Sequence, residues 1–185
     1  NHNAFLGMMQ EALSGKTGFT NNAGYCYVGA VESEGRVFTV ALLACGWPNN
    51  RSYKWSDMKK LAVYGMERYQ YRDIYEEQKF SDIPVRSGIA GKGGTPYEEA
   101  EVSVTLQAGE KSLPYLLCGD DRVEVKSRVE PVLDAPVAEG EQVGAVSYYL
   151  NGELIKSYAV CTDDAIEKRS FSWIFGYILK LAFFL

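Results

Sequence analysis

The triplet Lys16-Thr17-Gly18 contains the residue types in this sequence that could do chemistry together. An ammonium and a hydroxyl on neighbouring residues could both hold a carboxylate, and the ammonium also favours deprotonation of a nearby hydroxyl. The glycine lets a ligand backbone approach closely. If the triplet lies on an exposed strand edge, an extended peptide could pair with it as an added strand. Alone, the triplet is a weak signal, because it also occurs in ordinary turns.

Two other motifs favour structural roles. Ser56-Asp57-Met58-Lys59 has the S-x-x-K spacing of an activated serine, but Ser56 is predicted to be the N-cap of a helix over residues 57–71. Residues 91–94 read Gly-Lys-Gly-Gly, which resembles a phosphate-binding loop only superficially. No helix led by serine or threonine follows them, so a hairpin turn is preferred.

The composition of the chain excludes several classes of protein. Its 185 residues carry a net charge of −5, which argues against a nucleic-acid binder with a basic surface stripe. His2 is the one histidine of the sequence. This excludes a multi-histidine metal site, and it excludes a Ser-His-Asp triad that does not use His2. His2 itself is predicted to be a surface loop residue, and Arg51 a solvated helix flank. The four cysteines, Cys26, Cys45, Cys118 and Cys161, lack C-x-x-C spacing and are predicted to be buried free thiols.

Residues 1–73 are predicted to form antiparallel strands followed by a helix, as at the end of an α/β domain. Apolar runs at 25–33 and 36–45 surround Glu34-Gly35, which is a hairpin turn signal. The second run is apolar throughout, which predicts a central strand covered on both faces. In the helix that follows, Met58, Leu61 and Ala62 are predicted to form an apolar stripe.

Residues 74–163 are predicted to form a second, all-β domain. Short runs separated by proline and glycine favour strands at 79–86, 101–107, 114–117, 123–131, 142–150 and 153–160. Asn151-Gly152 joins the last two as a two-residue hairpin. Strands at this spacing without intervening helices indicate a small antiparallel sandwich or barrel.

Residues 164–185 are predicted to form a membrane-associating helix. Residues 171–185 are almost entirely apolar, and at ~1.5 Å per residue they extend roughly 22 Å, less than the ~30 Å hydrocarbon core. Ser172, Gly176 and Lys180 recur every four residues and form one stripe. An interfacial helix, the start of a spanning helix and a buried core helix all fit this pattern. At the other end, Asn1 in place of methionine predicts that the chain begins inside a longer precursor.

A longer stretch around the triplet resembles a known family. Residues 16–30, KTGFTNNAGYCYVGA, resemble the KTG box of serine D-alanyl-D-alanine carboxypeptidases, the low-molecular-mass penicillin-binding proteins. The next strand and the helix after Trp55 look like the end of the family's transpeptidase-like, β-lactamase-like domain. Residues 74–163, and especially 140–155, resemble its C-terminal β-rich domain, and residues 171–185 its membrane anchor.

The resemblance implies an acyl-enzyme mechanism on peptidoglycan. A serine attacks the bond between two terminal D-alanines of a stem peptide, and β-lactam antibiotics acylate the same serine. Lys16 would be the catalytic residue of this chain, and Thr17, Gly18 and Phe19 would bind substrate, with the Phe19 N–H as an oxyanion donor. The family needs no cofactor or metal, and it acts at the extracytoplasmic face of the bacterial cell membrane.

The sequence departs from the family pattern in one respect. The nucleophile motif S-x-x-K and the S-x-N box precede KTG in the family, and neither stands there in this chain. Both are expected upstream, so the chain alone is expected to be inactive and to supply one wall of the site. Two alternatives stay open. One is a non-catalytic, membrane-anchored β-module that holds a partner near the cell wall, and the other is a β-lactamase-like hydrolase.

Overall fold

A computed structural model describes residues 3–91 and 93–183. The chain consists mostly of β-strands with two α-helices and divides into two compact units. The first unit covers the chain up to Arg72 together with Tyr115–Asp120. The second covers Asp73–Pro114 and the chain from Asp121 onward.

The first unit contains a three-stranded antiparallel sheet and a helix. Its elements are a 3-10 turn at Ala4–Gly7, β1 at Ala12–Thr20, β2 at Gly24–Ser33, β3 at Arg36–Leu42, a second 3-10 turn at Pro48–Asn50 and α1 at Tyr53–Arg68. The predicted hairpin at Glu34-Gly35 is confirmed, since Ser33 pairs with Arg36 and both turn residues have positive φ, 52° and 74°. Positive φ at both positions matches the twist that adjacent strands require.

The order β1-β2-β3 makes β2 the central strand of the described sheet. The prediction that residues 36–45 form a central strand covered on both faces is therefore wrong for this part of the chain. Alternate residues of β3 are exposed, with Val37 58% accessible, because one face of the sheet packs against α1 and the other does not. An apolar run cannot distinguish a strand buried on both faces from one that carries apolar residues on an open face.

The core of the first unit lies between the sheet and α1. Tyr27 and Val31 of β2 pack with Met58 and Ala62 of α1 and with Phe5 of the first 3-10 turn, and all five are at most 2% exposed. The predicted helix stripe is thus confirmed for Met58 and Ala62. Leu61, the third member of that stripe, is 46% exposed.

Helix α1 begins four residues before its predicted start. Its N-cap is Ser52, whose carbonyl accepts hydrogen bonds from the N–H groups of Trp55 and Ser56 at 3.0 and 3.2 Å. Ser56 is an exposed residue inside the first turns, so its prediction as an N-cap is wrong. The extra turn forms because it buries Lys54 and packs Trp55 against the core, and such tertiary contacts override local capping signals.

Arg36 closes the other end of α1. Its guanidinium is buried and donates hydrogen bonds to the carbonyls of Met66, at 3.1 Å, and of Tyr69. Met66 lies in the last turn of α1, where carbonyls have no intrahelical partner, and Tyr69 is the C-cap residue. The helix ends at Arg68 and not at the predicted residue 71, because the backbone of Tyr69 is extended, with φ −105° and ψ 126°.

We expect Arg36→Met to lower the free energy of unfolding by about 2–3 kcal/mol, because it removes the buried, charged donor to the carbonyls of the half-buried Met66 and Tyr69. The matched control is Glu34→Gln, which removes the other charge of the 2.5 Å ion pair with Arg36. Glu34 is 81% exposed, so its loss should cost no more than about 1 kcal/mol. Urea unfolding followed by tryptophan fluorescence measures both variants, and equal losses would contradict the capping role.

The second unit contains two sheets. Its strands are β5 at Ile83–Arg86, β6 at Ala100–Val102, β7 at Val104–Leu106, β9 at Val123–Val129, β10 at Leu133–Asp134, β11 at Gln142–Leu150 and β12 at Glu153–Thr162. The sheet orders are β10-β5-β6 and β7-β12-β11-β9. Two further strands, β4 at Gln70–Asp73 and β8 at Pro114–Leu117, form a two-stranded sheet that belongs almost entirely to the first unit.

The β11–β12 hairpin follows its sequence signal closely. Leu150 pairs with Glu153 across Asn151 and Gly152, whose φ angles are 52° and 86°, so the predicted turn is confirmed. The predicted all-antiparallel arrangement is wrong at one place, because β10 pairs with β5 in parallel. That strand has only two residues, too few for a periodic signal.

The last element is α2 at Phe171–Phe183. The segment before it is attached to the second unit by bridges between Gly88 and Lys168 and between Val137 and Ile166. No residue of α2 that the structure describes is buried, and Phe171 and Phe175 are 83% and 52% exposed. Among the described residues, no helix combines the length and the apolar character needed to span a membrane.

Candidate functional site

The Lys16-Thr17-Gly18 triplet lies in the middle of β1, at the edge of the three-stranded sheet. Within residues 3–91 and 93–183, β1 has β2 as its one sheet neighbour. Lys16, Gly18 and Phe19 are exposed and Thr17 is half-buried. The backbone on the outer side of β1 is thus available to pair with an extended peptide.

The pairing register places Lys16 and Thr17 on opposite faces of the sheet. Thr17 is opposite Tyr27, whose side chain packs in the core against α1. Lys16 is opposite Val28, which is 44% exposed. Because side chains alternate along a strand, the Lys16 side chain belongs to the face that α1 does not cover. Its ammonium donates a 2.7 Å hydrogen bond to the Thr17 carbonyl and is otherwise exposed.

Glycines serve two different purposes in β1. A Cβ built at Gly18 meets no atom within 4 Å, so this glycine leaves open space beside the strand for a ligand. A Cβ at Gly15 would overlap the Tyr27 ring, and one at Gly29 on β2 would lie 2.6 Å from Tyr27 Cε1. Packing against Tyr27 therefore requires glycine at positions 15 and 29. Packing does not require it at position 18, where glycine leaves room for a ligand.

Phe19 is the last residue of the candidate site and lies near the C-terminal end of β1. Its ring packs on that of Tyr25, its cross-strand partner, with centroids 4.6 Å apart. The turn that follows is held by Trp47, whose indole N–H donates to the Asn21 carbonyl at 3.1 Å. Phe19 is 41% exposed, so its other side is open to a ligand.

Behind Tyr25 lies a buried lysine. Lys54 is 7% exposed, its ammonium stands 4.1 Å from the centroid of the Tyr25 ring and 4.7 Å from that of Trp55, and it donates a 2.7 Å hydrogen bond to the Arg51 carbonyl. Burial lowers the pKa of Lys54 from its usual value. Ring faces and a carbonyl replace the water that a charged ammonium needs.

Cys45 neighbours this lysine. Its thiol donates to the carboxylate of Asp57 at 3.0 Å. Burial, and then the nearby Asp57 carboxylate, raise the pKa of the thiol from 9.0 to about 11. None of the four cysteines, all of which lie in the described residues, is in a disulfide. Cys161 is buried as predicted, but Cys26, Cys45 and Cys118 are only half-buried, so the prediction of burial is wrong for these three.

We expect iodoacetamide to alkylate Cys45 about tenfold more slowly at pH 8 than it alkylates an unperturbed cysteine peptide. The thiolate fraction falls about 100-fold, and the higher nucleophilicity of the more basic thiolate offsets about half of this on a logarithmic scale. Asp57→Asn should accelerate the reaction, because it removes the charge that opposes thiolate formation. Peptide mass spectrometry measures the rates. An unchanged rate in Asp57→Asn would show that the Asp57 carboxylate does not slow the reaction of Cys45.

The remaining candidates do not join the triplet. His2 and Lys92 lie outside the described residues, and Arg51 is exposed and contributes its carbonyl to Lys54. Ser56 and Lys59 lie exposed on α1. In the part of the chain that the structure describes, no group of three or more His, Cys, Asp or Glu residues could hold a metal ion. Sequence reasoning missed Lys54, because it placed that residue in a loop before the helix.

Comparison with known proteins identifies the class to which the chain is related. Residues 95–168 match the family model for the C-terminal domain of penicillin-binding protein 5. The chain therefore matches a C-terminal portion of a low-molecular-mass penicillin-binding protein, and the resemblance proposed from the sequence is confirmed. The second unit contains most of the matched residues.

Three solved structures are similar to the chain, each at 22% identity. The D-alanyl-D-alanine carboxypeptidase DacD from Francisella tularensis covers 91% of this chain with a TM-score of 0.55, which indicates a shared fold. Penicillin-binding protein 5 from Haemophilus influenzae and a peptidoglycan synthesis regulatory factor (PBP3) from Streptococcus pneumoniae cover 83% and 82%, at TM-scores of 0.41 and 0.42 that are too low to establish one. The chain spans about two-fifths of each, namely 39%, 42% and 42%.

Proposed function

We propose that this chain is part of a serine D-alanyl-D-alanine carboxypeptidase that removes the terminal D-alanine from peptidoglycan stem peptides. The observation that carries the proposal is Lys16-Thr17-Gly18 on an outer sheet edge that no other strand of the described residues pairs with, with open space beside Gly18. The match of residues 95–168 to the C-terminal domain of penicillin-binding protein 5 supports it independently.

In this reaction the hydroxyl of a serine outside the chain attacks the carbonyl carbon between the two D-alanines. The terminal D-alanine leaves as the free amine, and water then hydrolyses the acyl-enzyme and restores the serine. Thr17 and the outer edge of β1 bind the substrate backbone and its terminal carboxylate. Lys16 holds that carboxylate or assists proton transfer, and the Phe19 N–H is one of two donors to the oxyanion. β-Lactams acylate the same serine.

The C-terminal helix supports a place for the protein at the extracytoplasmic face of the bacterial cell membrane. The side chains of Phe171, Phe175 and Ile178 are each more than half exposed on α2, a costly arrangement in water. Aromatic and aliphatic side chains of this kind are typical of a helix that lies in the membrane interface. In this proposal, residues 171–185 bind the membrane and keep the enzyme close to the cell wall.

Fluorescent penicillin tests the proposed activity. The full-length protein that contains this chain should become covalently labelled, and the label should remain bound in denaturing gels. Prior incubation with unlabelled penicillin should prevent the labelling, which separates acylation of one serine from non-specific attachment. A folded full-length protein that takes up no label would overturn the carboxypeptidase proposal.

A second function is favoured by a specific observation: the family match covers residues 95–168 and not the triplet. In this alternative the chain is a non-catalytic, membrane-anchored β-module at the cell wall. The alternative predicts that the full-length protein sediments with cell-wall polymer although it takes up no penicillin. Rapid release of the penicillin after labelling would instead indicate the β-lactamase-like reaction.

A further inference from the structure

We infer that Lys54 and Tyr25 are positioning residues that hold Phe19 and its backbone N–H in place for the oxyanion. The inference rests on the proposed carboxypeptidase function. It gives α1 an indirect role in the site, because no residue of α1 is proposed to contact the substrate. Its basis is an unbroken stack of side chains from the core of the first unit to the end of β1.

The stack has five members. Phe19 packs on Tyr25 at 4.6 Å, and the Lys54 ammonium stands over the Tyr25 ring at 4.1 Å and over the Trp55 ring at 4.7 Å. Trp55 in turn meets Tyr27 edge to face, with centroids 5.0 Å apart. Tyr27 is 2% exposed and fixed in the core, so the stack has a rigid inner end.

An edge strand needs this support more than a central strand does. Backbone hydrogen bonds hold β1 on one side only, since β2 is its one sheet neighbour among the described residues. Phe19 is next to the last residue of β1, where strand pairing ends and the chain turns. An oxyanion donor must keep its position to within about 0.5 Å, and contacts of its own side chain can provide that constraint.

A buried ammonium suits this task because its place is tightly determined. The Lys54 ammonium has one carbonyl partner, that of Arg51, and two ring faces, and moving it would leave its charge without compensation. It therefore fixes the plane of Tyr25, and that plane fixes the Phe19 ring. A neutral side chain of similar length would fill the space but would not hold the ring.

The test uses full-length protein and measures the rate of acylation by fluorescent penicillin. The rate is divided by the concentration of active sites, which is determined by titration. We expect Lys54→Met to lower the acylation rate constant about 10- to 100-fold with little change in the apparent affinity of the noncovalent complex, because a displaced donor affects the transition state. Tyr25→Leu should behave similarly, whereas Lys54→Arg and Tyr25→Phe, which keep the cation and the ring, should remain within about threefold of wild type.

A destabilised control separates positioning from folding. Arg36→Met weakens the far end of α1 without touching the stack, so it should lower the urea midpoint but leave the rate per active site unchanged. Wild-type acylation rates in Lys54→Met and Tyr25→Leu would overturn the positioning role while leaving the proposed function intact. If the wild-type protein itself takes up no penicillin, the proposed function fails and this inference fails with it.

Discussion

Lys16→Ala is expected to lower the rate at which penicillin acylates the full-length protein by about 100-fold. The ammonium would form a charge-assisted contact with the substrate, and the loss of such a contact costs about 2–3 kcal/mol. Since Lys16 is exposed on an edge strand and its one hydrogen bond joins the adjacent Thr17 carbonyl, the variant should keep the stability of the wild type. Stopped-flow acylation and urea unfolding measure the two effects.

Lys59→Ala is the matched control. Lys59 is an exposed cation on α1, so this substitution also removes one positive charge, but away from the triplet. It should acylate like wild type, and equal losses in the two variants would contradict a role for Lys16 in the site. A second substrate, an acyl ester without a free carboxylate, distinguishes the two roles that Lys16 could have. If Lys16 holds the carboxylate, the variant should process this ester almost normally. If Lys16 assists proton transfer, the variant should react with the ester as slowly, relative to wild type, as it reacts with penicillin.

Local sequence signals predicted much of the fold, because short-range geometry alone determines those elements. Asn151-Gly152 and Glu34-Gly35 turn the chain at positive φ, and these two dipeptides fixed the register of both hairpins. The strands at 142–150 and 114–117 were predicted with the bounds they have in the structure.

The errors have a common cause in long-range packing. Helix α1 begins at Tyr53 because burial of Lys54 and packing of Trp55 stabilise an extra turn, and no local signal marks a lysine for burial. The apolar run of β3 likewise could not reveal that only one face of its sheet packs against a helix. In each case the deciding contact joins residues far apart in the sequence.

The candidate site divides in the same way. Residue types identified Lys16, Thr17 and Gly18 as candidates, and the resemblance to the carboxypeptidase family added Phe19, since the proposed chemistry belongs to consecutive residues of one strand. The support behind them, Tyr25 against Lys54, depends on how α1 crosses the sheet, and a sequence pattern does not contain that information. This division explains why the proposed catalytic residues could be found by motif while the positioning residues could not.

Tyr27→Ala is expected to lower the free energy of unfolding by about 3–5 kcal/mol, since it empties the centre of the first unit. Tyr27 is 2% exposed and contacts the rings of both Phe5 and Trp55. The control Tyr27→Phe removes only the hydroxyl and its 3.1 Å hydrogen bond to Asn3, so it should cost about 1 kcal/mol. Urea unfolding followed by tryptophan fluorescence measures both, and similar losses would show that the ring itself is not needed.

A double-mutant cycle tests the reason for this cost. Gly29→Ala should destabilise the wild type by about 1–3 kcal/mol, because the new methyl group would lie 2.6 Å from Tyr27 Cε1. In the Tyr27→Ala background the same methyl group enters the space that the ring has left, so its cost should fall to near zero. A coupling energy above about 1 kcal/mol would confirm that Gly29 is glycine because of the ring. Strict additivity would mean that the strand requires glycine there for its backbone, independently of Tyr27.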